Sequence, residues 1–282
     1  MSDRTTSHLD GRVVVVTGGG GGFGRLIGQR AAERGARVVL GDVDGAAAET
    51  AAQALRDTGA EAEGVAVDVR VLAEVEALVA RAVERFGAVD VMVNNAGVMP
   101  LAFFRDHAAA QEPWDRCIDI NLKGVLHGIC AVHDRMVEQG RGHVVNIASI
   151  YANAGTAGSG VYSATKAAVV ALSDSLRVES QGTIKVTVVR PTGVLGTGLA
   201  AGVVNPGAAV GIVGANEAAY VENVMAFLGG QLDGPKADID DPAYWAIAPE
   251  VIAAEVVHAI DQPWGVTIGD VTIRATGEQF VI

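Results

Sequence analysis

The sequence predicts an α/β fold: a doubly wound parallel β-sheet with helices on both faces, in a single domain over residues 1–282. Short apolar runs alternate regularly with helical patterns, which is typical of a parallel sheet covered on both sides. Polar or glycine-rich residues follow most of these runs, at the edge of such a sheet where ligands bind. Half of the residues are apolar and 19% are charged, enough for one large core.

The first predicted unit is a strand, a glycine-rich loop and a helix. Residues 12–17 form an apolar run, residues 18–24 are mostly glycine, and a helical pattern follows as far as Gly35. Gly18, Gly22 and Gly24 would let the backbone approach a pyrophosphate whose charge the helix N-terminus stabilises. A flexible hairpin is the alternative, but the flanking strand and helix favour a cofactor site.

The second unit carries the residue that indicates which dinucleotide is bound. A strand over residues 37–40 leads to Asp42, and a helix is predicted over residues 46–55. A carboxylate at this strand end accepts hydrogen bonds from ribose hydroxyls and repels a 2'-phosphate. Gly21 and Val43, where a phosphate clamp would lie, are not basic. The sequence therefore predicts NAD rather than NADP, with a turn or helix-cap role as the alternative for Asp42.

The remaining units continue the alternation. Further strands are predicted over residues 64–67, 89–93, 143–148, 185–190 and, at the sheet edge, 266–274. Helices are predicted over residues 71–86, about 114–138, the segment around Tyr162, and 248–260. Asp68 follows one strand and is interpreted either as an acceptor for an adenine amino group or as a turn former.

Tyr162 and Lys166 are four residues apart on a predicted helix, so they project from one face. A nearby cation favours the phenolate, which would suit Tyr162 to acid/base chemistry at neutral pH. Ser149 follows the preceding strand, and its hydroxyl is placed to hydrogen-bond a substrate oxygen. An isolated pair of this kind is more often part of an ordinary amphipathic helix, and the surrounding motifs favour the catalytic interpretation.

These motifs together resemble the short-chain dehydrogenase/reductase family, whose domain is a Rossmann-like sheet. The matching pieces are Thr17-Gly18-x-x-x-Gly22-x-Gly24, Asp68-Val69, Asn94-Asn95-Ala96-Gly97, Asn121, Ser149, Tyr162-x-x-x-Lys166 and Arg190-Pro191.

The resemblance implies a role for each of these residues. Tyr162 is the catalytic acid/base, and Lys166 holds the nicotinamide ribose and lowers the tyrosine pKa. Ser149 orients the substrate oxygen, and Asn121 uses a local helix distortion to hold a water that connects the lysine to solvent. Asn95 braces the sheet. The expected cofactor-lining residues are Gly18, Gly22, Phe23, Gly24, Asp42, Val43, Asp68, Val69, Asn94, Ala96, Gly97, Tyr162, Lys166, Pro191, Thr192 and Val194.

The sequence departs from the family pattern in three places. Phe23 stands where the family usually has isoleucine, Thr192 replaces the usual glycine after Pro191, and Thr197 lies one residue later than the cofactor-contacting threonine. Thr197 is therefore not assigned to the cofactor site.

The long segment 194–247 has two interpretations, a lid over the substrate or a surface insertion that contacts another subunit. As a lid it favours a hydrophobic substrate. The tail over residues 275–282 ends in Phe280-Val281-Ile282, which suggests burial against another subunit, and the resemblance implies a homotetramer or dimer.

Other classes of partner are disfavoured. The net charge is −12 and no Lys/Arg block is present, which argues against nucleic acid. No apolar run is long enough for a membrane span, and Met1 to Asp10 are polar, so a cytoplasmic location is expected. Cys117 and Cys130 lack disulfide or metal spacing, and the six histidines also lack it, so no metal is expected.

The sequence therefore predicts an NAD(H)-dependent oxidoreductase that interconverts a secondary alcohol and a ketone. An NADPH-dependent ketone reductase is one alternative. The other, from a different class, is a dinucleotide-sensing regulator without chemistry, which the retained Tyr162 and Lys166 disfavour.

Overall fold

The computed structural model describes residues 7–282, so the first six residues of the polar N-terminal stretch lie outside it. Seven strands form one parallel sheet in the order β3-β2-β1-β4-β5-β6-β7. The strands are β1 (Val13–Thr17), β2 (Arg37–Asp42), β3 (Ala62–Ala66), β4 (Val91–Asn94), β5 (Gly142–Ile147), β6 (Ile184–Pro191) and β7 (Asp270–Ile273). The predicted fold class is confirmed.

Helices cover both faces of the sheet. They are α1 (Gly22–Glu33), α2 (Gly45–Asp57), α3 (Leu72–Phe86), α4 (His107–Cys117), α5 (Gly124–Glu138), α6 (Gly160–Glu179), α7 (Glu217–Leu228) and α8 (Pro249–Ile260). One turn of π-helix, Ile118–Lys123, joins α4 to α5. None of the helices within residues 7–282 combines the length and the apolar character that crossing a membrane requires.

The valines of β1 show how one strand serves two cores. Val14 and Val16 join a cluster on the face covered by α1 and α8, whereas Val13 and Val15 join the cluster on the opposite face, with α3 and α5. Alternate side chains of a strand lie on opposite faces, so a strand buried on both sides is apolar throughout. This explains why β1 was visible in the sequence as a continuous run.

The order of the strands places a crevice at the middle of the sheet. β1 pairs with β2 on one side and β4 on the other, so the winding direction reverses between β3 and β4. In open α/β sheets, ligands bind outside the carboxyl ends of the strands at such a reversal. The glycine loop after β1 and the segment after β4 flank this crevice.

Two predicted elements differ from the observed ones by more than two residues at one end. The helix expected from residue 114 begins at His107, because Pro113 is accommodated inside α4 instead of marking its start. The final strand, expected over residues 266–274, is only Asp270–Ile273, because a turn in which Val266 N donates to Pro263 O precedes it. It lies at the sheet edge as predicted.

Candidate active site

The glycine loop after β1 fits a pyrophosphate. Gly18 and Gly22 have φ values of +66° and +48°, a left-handed conformation that favours glycine. A Cβ at Gly24 would lie 2.1 Å from Gly18 O, so no side chain fits there. By contrast, a Cβ at Gly21 would have no heavy atom within 4 Å, which leaves the outer face of the loop open.

The N-terminus of α1 supplies positive partial charge at that open face, where an anion could bind. Gly21 is the N-cap residue, and no side chain caps the helix. The first N–H groups of a helix have no partner within it and favour an anion. Phe23 packs beneath the loop against both the main core and a smaller cluster around Ile247 and Ile252. These residues therefore fit the diphosphate of a dinucleotide.

Asp42 ends β2 and reaches the glycine loop. One carboxylate oxygen accepts from Gly20 N at 2.9 Å, and the other accepts from Asp44 N at 3.0 Å. The helix-cap role belongs to Asp44, which accepts from Ala46 N and Ala47 N. Asp42 is thus held in place beside the loop with lone pairs to spare for ribose hydroxyls. Its neighbour Val43 is 68% exposed and lies on the same rim.

Asp68, the expected acceptor for adenine, is paired with a side chain of the protein. The Asp68 carboxylate forms a two-pronged ion pair with Arg70, at 2.6 to 2.9 Å, and this pairing lowers the pKa of Asp68 below its ordinary value. An adenine amino group would compete with Arg70 for this carboxylate. Val69 is buried, and its carbonyl oxygen lies 2.8 Å from His127 Nδ1.

Two neighbouring asparagines after β4 have separate roles. Asn94 donates to Asn146 Oδ1 at 2.8 Å and is almost fully buried, so its side chain joins β4 to β5, and its cofactor-lining role stays a prediction. Asn95 donates to Thr17 O at 2.8 Å and to Gly18 O at 3.2 Å. Asn95 therefore ties the segment after β4 to the glycine loop, which is the bracing role that the resemblance implied.

Tyr162, Ser149 and Lys166 meet at the carboxyl edge of β5. Lys166 Nζ donates to Ile147 O at 2.7 Å and lies 5.8 Å from the centre of the Tyr162 ring. Ser149 follows β5, and its hydroxyl accepts from Tyr151 N at 3.3 Å. All three side chains are at most 7% exposed. The structure thus brings the predicted catalytic residues together in a largely dry environment.

Burial dominates the protonation of this group. It lowers the pKa of Lys166 to about 8 and raises the pKa of Tyr162 well above its ordinary value, although the neighbouring Ser149 hydroxyl acts in the opposite direction on the tyrosine. The sequence led us to expect a lowered tyrosine pKa. The direction differs because desolvation of the phenolate outweighs the lowering effect of the Ser149 hydrogen bond.

Asn121 lies in the turn of π-helix and joins the site to the segment after β4. Its amide donates to Val98 O and accepts from Val98 N, both at 2.9 Å. A Cβ at Gly97 would lie 3.4 Å from Asn121 Oδ1 and 3.7 Å from Lys166 Nζ. The helix distortion that the resemblance implied is therefore present, and Gly97 lines the space beside Lys166. Ala96 N donates to Thr17 Oγ1 and extends the same contact.

The segment after β6 approaches the glycine loop. Pro191 ends β6, and the Thr192 hydroxyl is buried without a partner among residues 7–282. Val194 forms an isolated parallel bridge with Ile247. Thr197, which the sequence did not assign, has its Cβ 3.9 Å from where a Gly22 Cβ would lie. The shift of one residue from the family spacing left Thr197 unassigned in the sequence, and the structure places it beside the glycine loop.

Apolar side chains form a wall around Tyr162. A third cluster includes Tyr151, Tyr162 and Ile212, and the rings of the two tyrosines meet edge to face with centres 5.4 Å apart. The other buried members are Leu101, Cys117, Ile150, Ala208 and Val213. Side chains from residues 98–103, 150–151 and 203–213 therefore pack together with Tyr162. In the tail, Phe280 and Ile282 pack against this cluster of their own chain, whereas Val281 is 60% exposed, and the subunit contact stays a prediction.

No metal site accompanies these residues: within residues 7–282, no three His, Cys, Asp or Glu side chains are grouped to hold an ion. His143, one of the six histidines, is a fully buried core residue.

Comparisons with known proteins agree on one family. A family model described as short chain dehydrogenase matches residues 12–208. An uncharacterized oxidoreductase of Staphylococcus haemolyticus is 32% identical over 270 residues, which cover 95% of this chain and 99% of that relative. Two solved structures are also similar. A short-chain dehydrogenase/reductase of Burkholderia phymatum in complex with NAD is 29% identical, with a TM-score of 0.74 over 94% of this chain and 89% of the other. Levodione reductase is 30% identical, with a TM-score of 0.75 over 94% of this chain and 97% of the other.

Proposed function

Since the chain belongs to the short-chain dehydrogenase family of oxidoreductases, we propose that it is an NAD(H)-dependent enzyme that interconverts a secondary alcohol and a ketone. The observation that carries this proposal is the buried group of Tyr162, Ser149 and Lys166 beside an open glycine loop. The apolar wall around Tyr162 favours a hydrophobic substrate. A cytoplasmic homotetramer or homodimer is part of the same proposal.

The residues present fit a nicotinamide dinucleotide. The open loop and uncapped α1 would hold the diphosphate, Asp42 the adenosine ribose, and Lys166 with Gly97 the nicotinamide side. When bound, such a cofactor accepts or supplies a hydride. The Asp42 carboxylate repels a 2'-phosphate, which supports NAD over NADP, as does the NAD in the Burkholderia phymatum relative.

The side chains divide the proton chemistry between them. Ser149 donates a hydrogen bond to the substrate oxygen and so orients the carbinol carbon. Tyr162 moves the proton: its phenol donates to a ketone oxygen, and its phenolate accepts from an alcohol. Because burial raises the pKa of Tyr162, the protonated form is favoured in the chain alone, and the positive charge of Lys166 is the nearby group that stabilises the phenolate. The apolar wall excludes water from this exchange.

The decisive experiment compares wild type with Tyr162→Phe. Formation of reduced nicotinamide is measured with NAD and NADP separately, on secondary alcohols from small aliphatic to bulky aromatic ones. We expect turnover with NAD that falls by at least about 1,000-fold in the variant, because the proton acceptor is lost. NAD binding, measured by calorimetry, should stay within about twofold.

Two results would contradict parts of the proposal. Undiminished turnover by Tyr162→Phe rejects Tyr162 as the acid/base. Turnover with NADP alone replaces the NAD assignment with that of an NADPH-dependent ketone reductase. If NAD binds but no alcohol or matching ketone turns over, the sensor interpretation gains support.

A further inference from the structure

The C-terminal tail returns across the segment between β6 and α8 instead of leaving the domain. Gly277 N donates to Tyr244 O at 2.9 Å, and Val281 N donates to Ile212 O at 3.0 Å. These two main-chain hydrogen bonds attach the tail at both ends to residues 194–247, which we call the cover segment.

Between those two points, Gln279 links three parts of the cover segment. Its side-chain oxygen accepts from Trp245 Nε1 at 3.0 Å and from Asn223 Nδ2 at 3.3 Å. Its main-chain oxygen accepts from Asn216 Nδ2 at 2.9 Å. Asn223, on α7, is 4% exposed and also accepts from Lys236 Nζ at 2.7 Å. One glutamine thus joins the start of α7, its middle and the segment before α8.

Aromatic packing reinforces this polar link. The ring centres of Phe280 and Tyr220 are 5.9 Å apart, and those of Tyr220 and Trp245 are 5.5 Å apart. A Cβ at Gly193 would lie 3.0 Å from the Phe280 ring, so the tail also contacts the end of β6 closely. Phe280 therefore packs between Gly193, just after β6, and Tyr220 on α7.

The cover segment depends on such contacts, because none of its residues 194–247 lies in a strand of the sheet. Its principal regular element is α7, and short helical turns make up much of the rest. A segment with few ladder hydrogen bonds opens at low free-energy cost unless side chains fix it. Gln279 supplies the acceptor for two buried donors, Trp245 Nε1 and Asn223 Nδ2, that would otherwise lack it.

The attached residues reach the candidate active site. Ile212, whose carbonyl accepts from the tail, is fully buried in the same apolar cluster as Tyr151 and Tyr162. Phe280 packs against that cluster too. We propose that the tail, residues 277–282, holds the cover segment against the apolar cluster around Tyr162, and that Gln279 is the positioning residue of this contact. Only the expected effect on KM rests on the proposed function; the structural role of Gln279 does not.

The kinetic test uses Gln279→Leu, Gln279→Glu and the control Gln262→Leu in the full-length protein. The leucine variant removes the side-chain acceptor, whereas glutamate retains it for Trp245 and Asn223. Gln262 has its side-chain hydrogen bond only to His258 O on α8, away from the cover segment. With the best alcohol of wild type, we expect Gln279→Leu to raise KM about tenfold, with kcat and NAD affinity within about twofold. Glutamate should restore KM to within about threefold.

A second test needs no turnover. Lys236 is the single Lys or Arg between Arg190 and Arg274, so trypsin can cut the cover segment only there. If Gln279 holds this segment, Gln279→Leu should be cut after Lys236 at least about fivefold faster than wild type and Gln262→Leu. The products would be residues 1–236 and 237–282.

The outcomes separate the two proposals. Equal tryptic rates in wild type and Gln279→Leu would overturn the positioning role, as would a drop in kcat with unchanged KM. If wild type turns over no alcohol or ketone, the proposed function fails, and the tryptic rates alone decide the role of Gln279.

Discussion

Two buried lysines lie at opposite edges of the same sheet, and their pKa values are lowered alike. Lys166, at the carboxyl edge, is 5% exposed and donates to Ile147 O at 2.7 Å. Lys185, at the amino edge on β6, is 7% exposed and donates to Pro263 O at 3.2 Å. Burial lowers the pKa of each to about 8.

Their neighbours differ completely. Lys166 faces the Tyr162 ring, next to Ser149 and the segment after β4. Lys185 lies 5.7 Å from the Trp264 ring, which Arg12 and Arg141 also approach, at 4.1 and 5.3 Å. A lowered lysine pKa therefore does not identify an active site by itself. An active site is identified instead by the acceptor and donor groups around the ammonium and by the edge of the sheet on which the lysine lies.

The largest expected difference between the two edges is in turnover. Lys166→Met should lower kcat by about 1,000-fold, because the cation that stabilises the Tyr162 phenolate is lost. Lys185→Met should keep kcat within about twofold. Steady-state assays of both variants, with circular dichroism to confirm folding, check this. Equal losses of kcat in the two variants would contradict the assignment of the active site to the carboxyl edge.

Two buried serines, one at the candidate active site and one away from it, allow a second comparison of the effect on activity. Ser149→Ala should lower kcat/KM by about 100-fold, because it removes a donor to the substrate oxygen. Ser180, at the end of α6, is 6% exposed, and its hydroxyl has no partner among residues 7–282. Ser180→Ala should change kcat/KM by less than twofold. A large loss for Ser180→Ala in the same assay would argue that activity reports general packing instead of the site.

The smallest effect concerns stability, where the two lysines should behave alike. Each folded-state pKa is about 8 against an ordinary 10.5, so between these values the unfolded chain holds more protons. The free energy of unfolding should therefore rise with pH across this window, by up to about 3 kcal/mol for each lysine. Below about pH 8 the full cost of burying the charge remains.

Denaturant titrations at pH 7, 8.5 and 10 measure this contribution. Lys166→Met and Lys185→Met should each be stabilised relative to wild type at pH 7, and the difference should shrink as the pH rises. A difference that grows with pH would mean that the folded protein favours the charged lysine, contrary to the effect of burial.

The sequence by itself determined the fold class and the order of the site residues. A strand buried on both faces must be apolar throughout, so β1 could be predicted from its run of valines. The spacing of Tyr162 and Lys166 fixed them on one helix face, since the period of a helix is local. The glycine loop could likewise be identified because only glycine tolerates its backbone conformation and close contacts.

Only the tertiary structure decided how residues distant in sequence meet. Asn94 and Asn95 are adjacent in the chain, yet one is buried against Asn146 and the other reaches Gly18. The apolar end of the tail indicated only a buried contact, and the structure shows that Phe280 packs against Tyr220 in its own chain. Burial also reversed the expected shift of the Tyr162 pKa. Contacts and desolvation of this kind depend on the packing of whole elements, which no local pattern of residues encodes.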